Sequence, residues 1–361
     1  MVKVTRALMA VLLSALILVA CAPAPMPSPI TSALPTDEKR SRSLSDEETA
    51  TLTSLKRVDN YPLYTMSYYG SYNRRVSSTE DVKPWGSASI PNTPLIPLSR
   101  TWACSLFTAF GGTGNMLYGR NFDWKFSPAL LLFTDPPDGY ASVSMVDIAY
   151  LGYQEKKSRT ITDLPINKRC ELLGAPFIPF DGMNEQGLVV GMAAVPPGNM
   201  RPDPEKETMS SVKVIRKILD HASNVDEAVA ILQNYNINMG DVPIHYLIAA
   251  PSGRSVLVEF YRGKMVVIPN EKQWHLATNF LLASVGQSAH RKCRRYDTIN
   301  QRLTETEGYL TAQKAMDLLA DVSVRRTQWS IVYGMSTGDI TVAMGRNYEK
   351  LHTFHLSSAG D

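Results

Sequence analysis

From Cys104 to the C-terminus the chain is written mostly in short apolar runs of strand length, joined by tight polar turns. "CSLFTAF" and "MLYGRNFDW" flank "GGTGN", and "SIVYGM" and "ITVAMG" flank "STGD". "HYLIAA", "SVLVEF" and "KMVVIP" are separated only by "PSGR" and "YRG". Connections this short return each strand beside its predecessor, which makes hairpins and antiparallel sheets. "PALLLFT" and "YASVSMVDIAYLGY" extend the sheet on either side of "DPPDG", and "HTFHL" supplies a last strand. The period turns helical in "SSVKVIRKILDHA", in "NVDEAVAILQNY" with Asn224 as N-cap, and again in "TAQKAMDLLADV". Strand groups alternating with helical blocks predict an α+β fold, antiparallel sheets with helices over their outer faces.

The first hundred residues read differently. Lys3 and Arg6 precede an uncharged run of 14 residues, Ala7 to Ala20. That is short for a membrane span and fits an export signal over residues 1–20. The run ends in Leu18-Val19-Ala20-Cys21, which resembles the lipobox of bacterial lipoproteins. The resemblance implies a lipidated Cys21 as the new N-terminus and a membrane anchor without a spanning helix. Ala22 rather than an aspartate follows, which points to the outer membrane or cell surface. Residues 21–43 contain "APAPMPSPITSALP", five prolines in 14 residues, an extended tether that cannot build a core. In "SLSDEETATLTSLKRV", Ser45 and Glu48 have capping-box spacing, and Lys56 and Arg57 stand where the last turn of a short helix would be. Residues 44–103 then form a segment ahead of a domain spanning 104–361.

Net charge is +3 with 44% hydrophobic and 20% charged residues, so there is no electrostatic argument for a nucleic-acid partner. Of four cysteines, Cys170 and Cys293 could pair in an oxidising compartment or remain two free thiols. His352 and His355 are three residues apart in a strand context without an adjacent carboxylate, a poor metal site. "GGTGN" precedes a strand rather than a helix and lacks the geometry of a phosphate loop. No cofactor or metal is expected.

The constellation with chemistry in it is Cys104, Arg120 and Asp123, spaced C-x15-R-x2-D across strand, turn and strand. A hairpin of that length lays "GRNFDW" beside the cysteine. This spacing, with "DGMNEQGLVVGM", "HYLIAAPSGRSVLVEF", the "ATNF" segment at Asn279 and "RRYDTINQRL" in that order, resembles the choloylglycine hydrolase and linear amide C–N hydrolase family. That family includes penicillin V acylases, bile-salt hydrolases, acid ceramidase, N-acylethanolamine amidase and acyl-CoA:6-aminopenicillanic acid acyltransferase-like enzymes. They are N-terminal nucleophile (Ntn) hydrolases. The resemblance implies a four-layer αββα sandwich and hydrolysis of a non-peptide C–N amide bond in a small N-acyl substrate through an acyl-cysteine.

It also implies roles. Cys104 would be the nucleophile, with its own α-amine as base once the Ala103–Cys104 bond is cut. A thiol near pKa ~8.5 and an α-amine near ~8 make such a residue self-sufficient at neutral pH. Arg120 would favour thiolate, Asp123 would hold the α-amine, Asn279 would donate to the oxyanion, and Arg295 would be the later active-site arginine, although Arg294 is adjacent. Where bile-salt hydrolases place an asparagine, this chain has Ala194, so a backbone N–H takes that donor's place. The same acyl-enzyme could pass its acyl group to an amine, making the chain an acyltransferase. A non-catalytic binding lipoprotein and a papain-like Cys–His enzyme are the other readings. The acyl and amine parts of the substrate, and whether the protein is a homo-oligomer, are not written in the sequence.

Overall fold

A computed structural model describes residues 43–72 and 103–357, apart from positions 113, 115, 199, 241, 290 and 291. The signal segment, Cys21, nearly all of the tether, and the polar stretch through Trp102 lie outside the described residues. Helix α1 (Asp46–Thr53) begins as the sequence predicts. Ser45 Oγ accepts from Glu48 N–H, and the Glu48 carboxylate accepts from Ser45 N–H at 2.9 Å. It ends earlier than expected. Lys56 and Arg57 open strand β1 (Lys56–Asp59), because they pair with Thr65 and Tyr64 of β2 (Leu63–Tyr68).

After the gap come β3 (Ser105–Ala109), β4 (Leu117–Asp123), β5 (Ala129–Thr134) and β6 (Ser142–Asp147). The chain then leaves strand geometry sooner than its apolar pattern suggests. Asp147 accepts a hydrogen bond from Ala149 N–H at 3.0 Å and starts a 3₁₀ turn over Ile148–Leu151. Next are β7 (Pro179–Asn184), β8 (Val189–Ala194), β9 (Thr208–Ser210), helices α2 (Lys213–His221) and α3 (Val225–Gln233), and β10 (Asn236–Asn238). Asn224 caps α3 by accepting from Glu227 N–H. Then follow β11 (Ile244–Ala249), β12 (Ser255–Tyr261), β13 (Lys264–Pro269), β14 (Trp274–Ala277) and the single turn α4 (Leu282–Val285). Helices α5 (Arg294–Glu305) and α6 (Ala312–Asp321) lead to β15 (Thr327–Gly334), β16 (Asp339–Met344) and β17 (Leu351–His355).

Two large sheets result. The first runs β1-β2-β5-β6-β7-β8-β11-β12-β13 and the second β14-β3-β4-β15-β16-β17, with β9 and β10 as a small parallel pair. The sheets meet face to face where β3 touches β8 and β11. Helices α2 and α3 cover the outer face of the first sheet, and α5 and α6 that of the second. This is the four-layer αββα sandwich. Leu106, Tyr118, Val190 and Leu247 belong to the core between the sheets, while Phe107, Leu117, Ile299 and Leu318 pack beneath the outer helices.

The large sheet departs from the antiparallel expectation at one place. β2 pairs with β5 in parallel, Leu63 with Ala129 through Tyr68 with Thr134. Parallel neighbours need a long crossover, and the intervening chain supplies it by building the β3–β4 hairpin in the other sheet. Residues 44–72 are therefore an integral part of the sandwich: Leu52, Leu63, Tyr64, Met66 and Tyr72 are buried. Residues from Leu44 onward make one compact unit.

Three smaller points concern the two C-terminal histidines, the remaining cysteines and the helices. His352 and His355 each find a carboxylate through tertiary pairing, Asp59 at 2.8 Å and Asp339 at 3.2 Å. They serve different strands, and no metal-binding group of side chains exists among the described residues. Cys170 and Cys293 are both free thiols. No helix among the described residues is long and apolar enough to cross a membrane.

Candidate active site

The β3–β4 hairpin does what its length requires. Ser105 pairs with Asn121 and Leu106 with Arg120, so the same register places Cys104, just ahead of β3, across from Phe122. Alternation then sorts the side chains. Arg120 turns toward the first sheet, where its Nη1 donates to Phe180 O at 2.6 Å and to the carboxylate of Asp181 on β7. Asn121 turns the other way and donates to Leu319 O of α6. The two sheets approach closely here because Gly191 has no side chain; a Cβ there would lie 2.5 Å from the Tyr118 hydroxyl.

Arg120 and Asp181 are both fully buried. Tyr333 of β15 donates its hydroxyl to the other Asp181 oxygen at 2.5 Å. Burial nonetheless pushes the Asp181 carboxyl above its ordinary range, with Arg120 and Tyr333 acting against that push. With Nη1 engaged, Nε and Nη2 of Arg120 are buried and without hydrogen-bond partners. Asp181 and Tyr333 had no assigned role in the sequence. The available signal was the acid itself, set in the apolar strand "PFDGM", where an unpaired carboxylate would be costly.

Cys104 is buried, with 4% of its surface exposed. Burial pushes its thiol above the ordinary value; Arg120 and Arg295 pull it down and the Asp123 carboxylate pushes it up. Arg120 acts in the expected direction, toward thiolate, but burial is the larger influence and leaves the thiol above its ordinary value. The Asp123 backbone N–H also favours the charged sulfur. Asp123 itself is held up to about 7, chiefly by burial. Its Oδ1 accepts from the Thr327 hydroxyl at 2.5 Å, while its buried Oδ2 has no partner.

Arg295, not Arg294, reaches the cysteine. From the first turn of α5, its Nη1 donates to Ala103 O at 2.5 Å, to Cys104 O, and to Ser105 Oγ at 2.9 Å. Its Nη2 donates to Asn279 Oδ1 at 3.0 Å. Asn279 in turn donates from Nδ2 to Ala194 O at 2.7 Å. Antiparallel pairing of β14 with β3 matches Ala277 to Leu106, and the same register carried two residues on sets Asn279 across from Cys104. The turn after Asn279 is pinned from below by Glu259, whose carboxylate accepts from Leu282 N–H and Ala283 N–H at 2.8 Å each. Val195 N–H is spent on Pro243 O at 2.8 Å. By strand alternation the N–H and C=O of Ala194 face away from β11, toward Asn279. Arg295 thus bonds the Ala103–Cys104 peptide directly, Asn279 bonds Arg295, and the charges of Arg120 and Asp123 act on the Cys104 thiol.

Residues 173–347 match the family model of acyl-coenzyme A:6-aminopenicillanic acid acyl-transferase. That span holds Asp181, Asn279, Arg295 and Tyr333, and begins after the β3–β4 hairpin. Two solved structures of conjugated bile acid hydrolase variants from Clostridium perfringens align over 70% of this chain and 92% of theirs, each at 16% identity, with TM-scores of 0.52 and 0.50. The chain has the choloylglycine hydrolase-like Ntn fold. Penicillin V acylase from Agrobacterium tumefaciens aligns over 72% of this chain and 89% of its own at 15% identity, TM-score 0.48. No curated protein matches the chain.

Proposed function

We propose that the chain is an exported, self-cleaving amidase that hydrolyses a linear C–N amide bond in a small N-acyl substrate. One observation carries the reading. The carbonyl of Ala103 is held by the Arg295 guanidinium, beside a buried cysteine and a buried carboxylate that has an oxygen without a partner.

Each group then has a task. In the uncut chain the Cys104 sulfur attacks the Ala103 carbonyl carbon while Arg295 stabilises charge on that oxygen. The thiol proton passes to the departing amide nitrogen, the C–N bond breaks, and water hydrolyses the resulting thioester. This leaves a carboxylate at Ala103, and a free thiol and free α-amine on Cys104. The new ammonium offers Asp123 Oδ2 the partner it lacks, which relieves the cost of its burial.

In turnover the neutral amine takes the thiol proton, the sulfur attacks the substrate carbonyl, and the ammonium returns a proton to the leaving amine. Water then cleaves the acyl-cysteine by the reverse use of the same base. Asn279 Nδ2 and the Ala194 backbone N–H are the donors for the oxyanion, each worth roughly 3–4 kcal/mol in such sites. A pocket of about 370 Å³ begins at Val195, the residue after Ala194, and is walled by Pro196, Met200, Ile237, Met239 and Phe260. It suits an apolar acyl group.

The test is a panel of N-acyl amides followed by amine release and by mass of the catalytic chain. Wild type should release amine and begin at Cys104. Cys104→Ser should lose most activity, because a hydroxyl ionises far less readily than a thiol. Full activity in Cys104→Ala would end the reading. A second outcome, acyl transfer to an amine, is favoured by the name of the matching family model; adding acceptor amines and measuring new amide separates it from hydrolysis.

The export half of the proposal rests on Lys3, Arg6 and the apolar run ending at Cys21. A lipid on Cys21 would hold the enzyme at the outer membrane or cell surface.

A further inference from the structure

Glu259 is a fully buried carboxylate that no step of the chemistry uses. His245 is its equally buried partner, with Nδ1 3.1 Å from Glu259 Oε1. The sheet register makes them a cross-strand pair. β11 matches His245 to Ala193 of β8 and Tyr246 to Val258 of β12, so one residue back His245 stands across from Glu259. Ala193, His245 and Glu259 therefore form a row on one face of the first sheet. The row starts one residue short of Ala194, whose carbonyl accepts from Asn279.

The far end of that row grips the turn after β14. Glu259 Oε1 accepts from Leu282 N–H and Oε2 from Ala283 N–H. These N–H groups open the single turn α4, and Leu281 before it has no side-chain acceptor to offer them. A carboxylate can only accept, and here three donors meet it, two from the backbone and one from the His245 ring. A glutamine would set its NH2 group against one of them. The bond to Glu259 also accounts for the histidine. His245 Nε2 is buried without a partner, a cost that an apolar side chain of similar size would avoid. What the ring adds is the Nδ1–H that holds the Glu259 carboxylate in place.

Asn279 lies three residues before Leu282, on a span anchored at both ends. On the β14 side, Ala277 pairs with Leu106, and His275 N–H donates to Thr108 Oγ1 at 2.9 Å. The His275 ring lies 3.1 Å from Ser255 Oγ. Ser255 and Glu259 are four residues apart on β12, so one strand of the first sheet clamps both β14 and the turn that follows it. Asn279 Oδ1 is taken by Arg295, and one Nδ2 hydrogen by Ala194 O. The other Nδ2 hydrogen remains for a substrate oxyanion, and its direction follows the turn.

We propose that Glu259 and His245 are positioning residues for the oxyanion donor: the pair fixes the turn through Leu282 and Ala283 and thereby aims the Asn279 amide. Neither touches substrate. This rests on the amidase reading above.

The test is a double-mutant cycle of Glu259→Gln and Asn279→Ala in the cut enzyme. An oxyanion donor acts in the transition state, so the loss should fall on kcat and leave KM unchanged. A misplacement of about 1 Å costs about a hundredfold, and that is the fall in kcat expected for Glu259→Gln. If the pair acts through Asn279, the double variant is no slower than Asn279→Ala alone. Losses that multiply, or wild-type kcat in Glu259→Gln, overturn the proposal. His245→Asn keeps a donor near the Nδ1 position and should retain the turnover that His245→Leu loses. Equal turnover in these two, high or low, overturns the proposal, and they carry the test if Glu259→Gln does not fold. If wild type hydrolyses no N-acyl amide, the amidase reading fails on its own. Crystal structures of uncut Cys104→Ala with and without His245→Leu then decide the geometry. An Asn279 amide shifted off Ala194 O upholds the pair, and an unmoved amide overturns it.

Discussion

Arg120 and Asp181 form an ion pair between the two facing sheets with neither side chain accessible to water. Removing one member of such a pair leaves the other charge buried and uncompensated, which costs about 3–5 kcal/mol. We expect Asp181→Asn to lose stability on that scale in urea unfolding, and to lose self-cleavage because Arg120 is no longer held beside Cys104. The double variant Arg120→Met/Asp181→Leu should regain much of the stability and remain uncut. Unfolding of Asp181→Asn within about 1 kcal/mol of wild type would show that Arg120 is anchored by Phe180 O and the sheet alone.

The pH dependence of the uncut chain should run opposite to that of most proteins with buried acids in ion pairs. Asp123 has a folded pKa of about 7, against an unfolded value of about 4. The folded chain therefore holds a proton that the unfolded chain releases, and stability falls as pH rises from about 4 to about 7, by up to about 4 kcal/mol. Asp147 is raised to about 7 as well and adds a similar slope. Urea unfolding of uncut Cys104→Ala should show this decline, and adding Asp123→Asn should make it shallower. The cut enzyme should show a shallower slope than uncut Cys104→Ala, since its α-ammonium stabilises the Asp123 carboxylate. An unchanged slope on adding Asp123→Asn would contradict the raised pKa.

Arg295 donates to the Ala103 carbonyl, at the bond where we propose self-cleavage. Removing one oxyanion donor typically costs about 10²–10³ in rate. Arg295→Gln should therefore accumulate intact chain, with the Cys104-initiated product appearing on that slower scale in timed mass spectra. Cleavage at the wild-type rate would assign the arginine a purely structural role.

How far the site could be read in advance depended on whether its parts were local. The β3–β4 hairpin is one short turn long, so C-x15-R-x2-D was enough to bring Arg120 and Asp123 to Cys104. Ser45 with Glu48, and Asn224 with Glu227, are likewise local hydrogen bonds. Lys56 and Arg57 misled because helix-end chemistry and an edge strand use the same residues, and the partner that decides, Thr65 and Tyr64, acts through β2. Asp181 and Tyr333 reach Arg120 from two other strands, and no spacing in the sequence encodes that meeting. The choice of Arg295 over Arg294 is a matter of angle around α5, about 100° per residue. The upward shift of the Cys104 thiol was out of reach because burial, which decides it, belongs to the packed sheets.

Lipid attachment has its own test. Cells expressing the full chain with labelled palmitate should yield a labelled short chain, and Cys21→Ala should abolish the label and release the enzyme from the membrane fraction. A soluble mature protein with an unmodified N-terminus would sink the anchoring proposal and leave the amidase reading untouched.

The parallel seam between β2 and β5 changes what it would mean for this protein to be tethered. Once the proposed cut is made, the polypeptide that carries the sorting address and the polypeptide that carries the thiol share no covalent bond. The enzyme would stay on its membrane through six matched residues of sheet, side-chain contacts such as Asp59 with His352 and Tyr61 with Gln328, and the packing beneath them. Denaturant should therefore strip the catalytic chain from vesicles while the lipidated chain stays behind. A different leader fused to the same strand would readdress the enzyme without altering a residue of its chemistry.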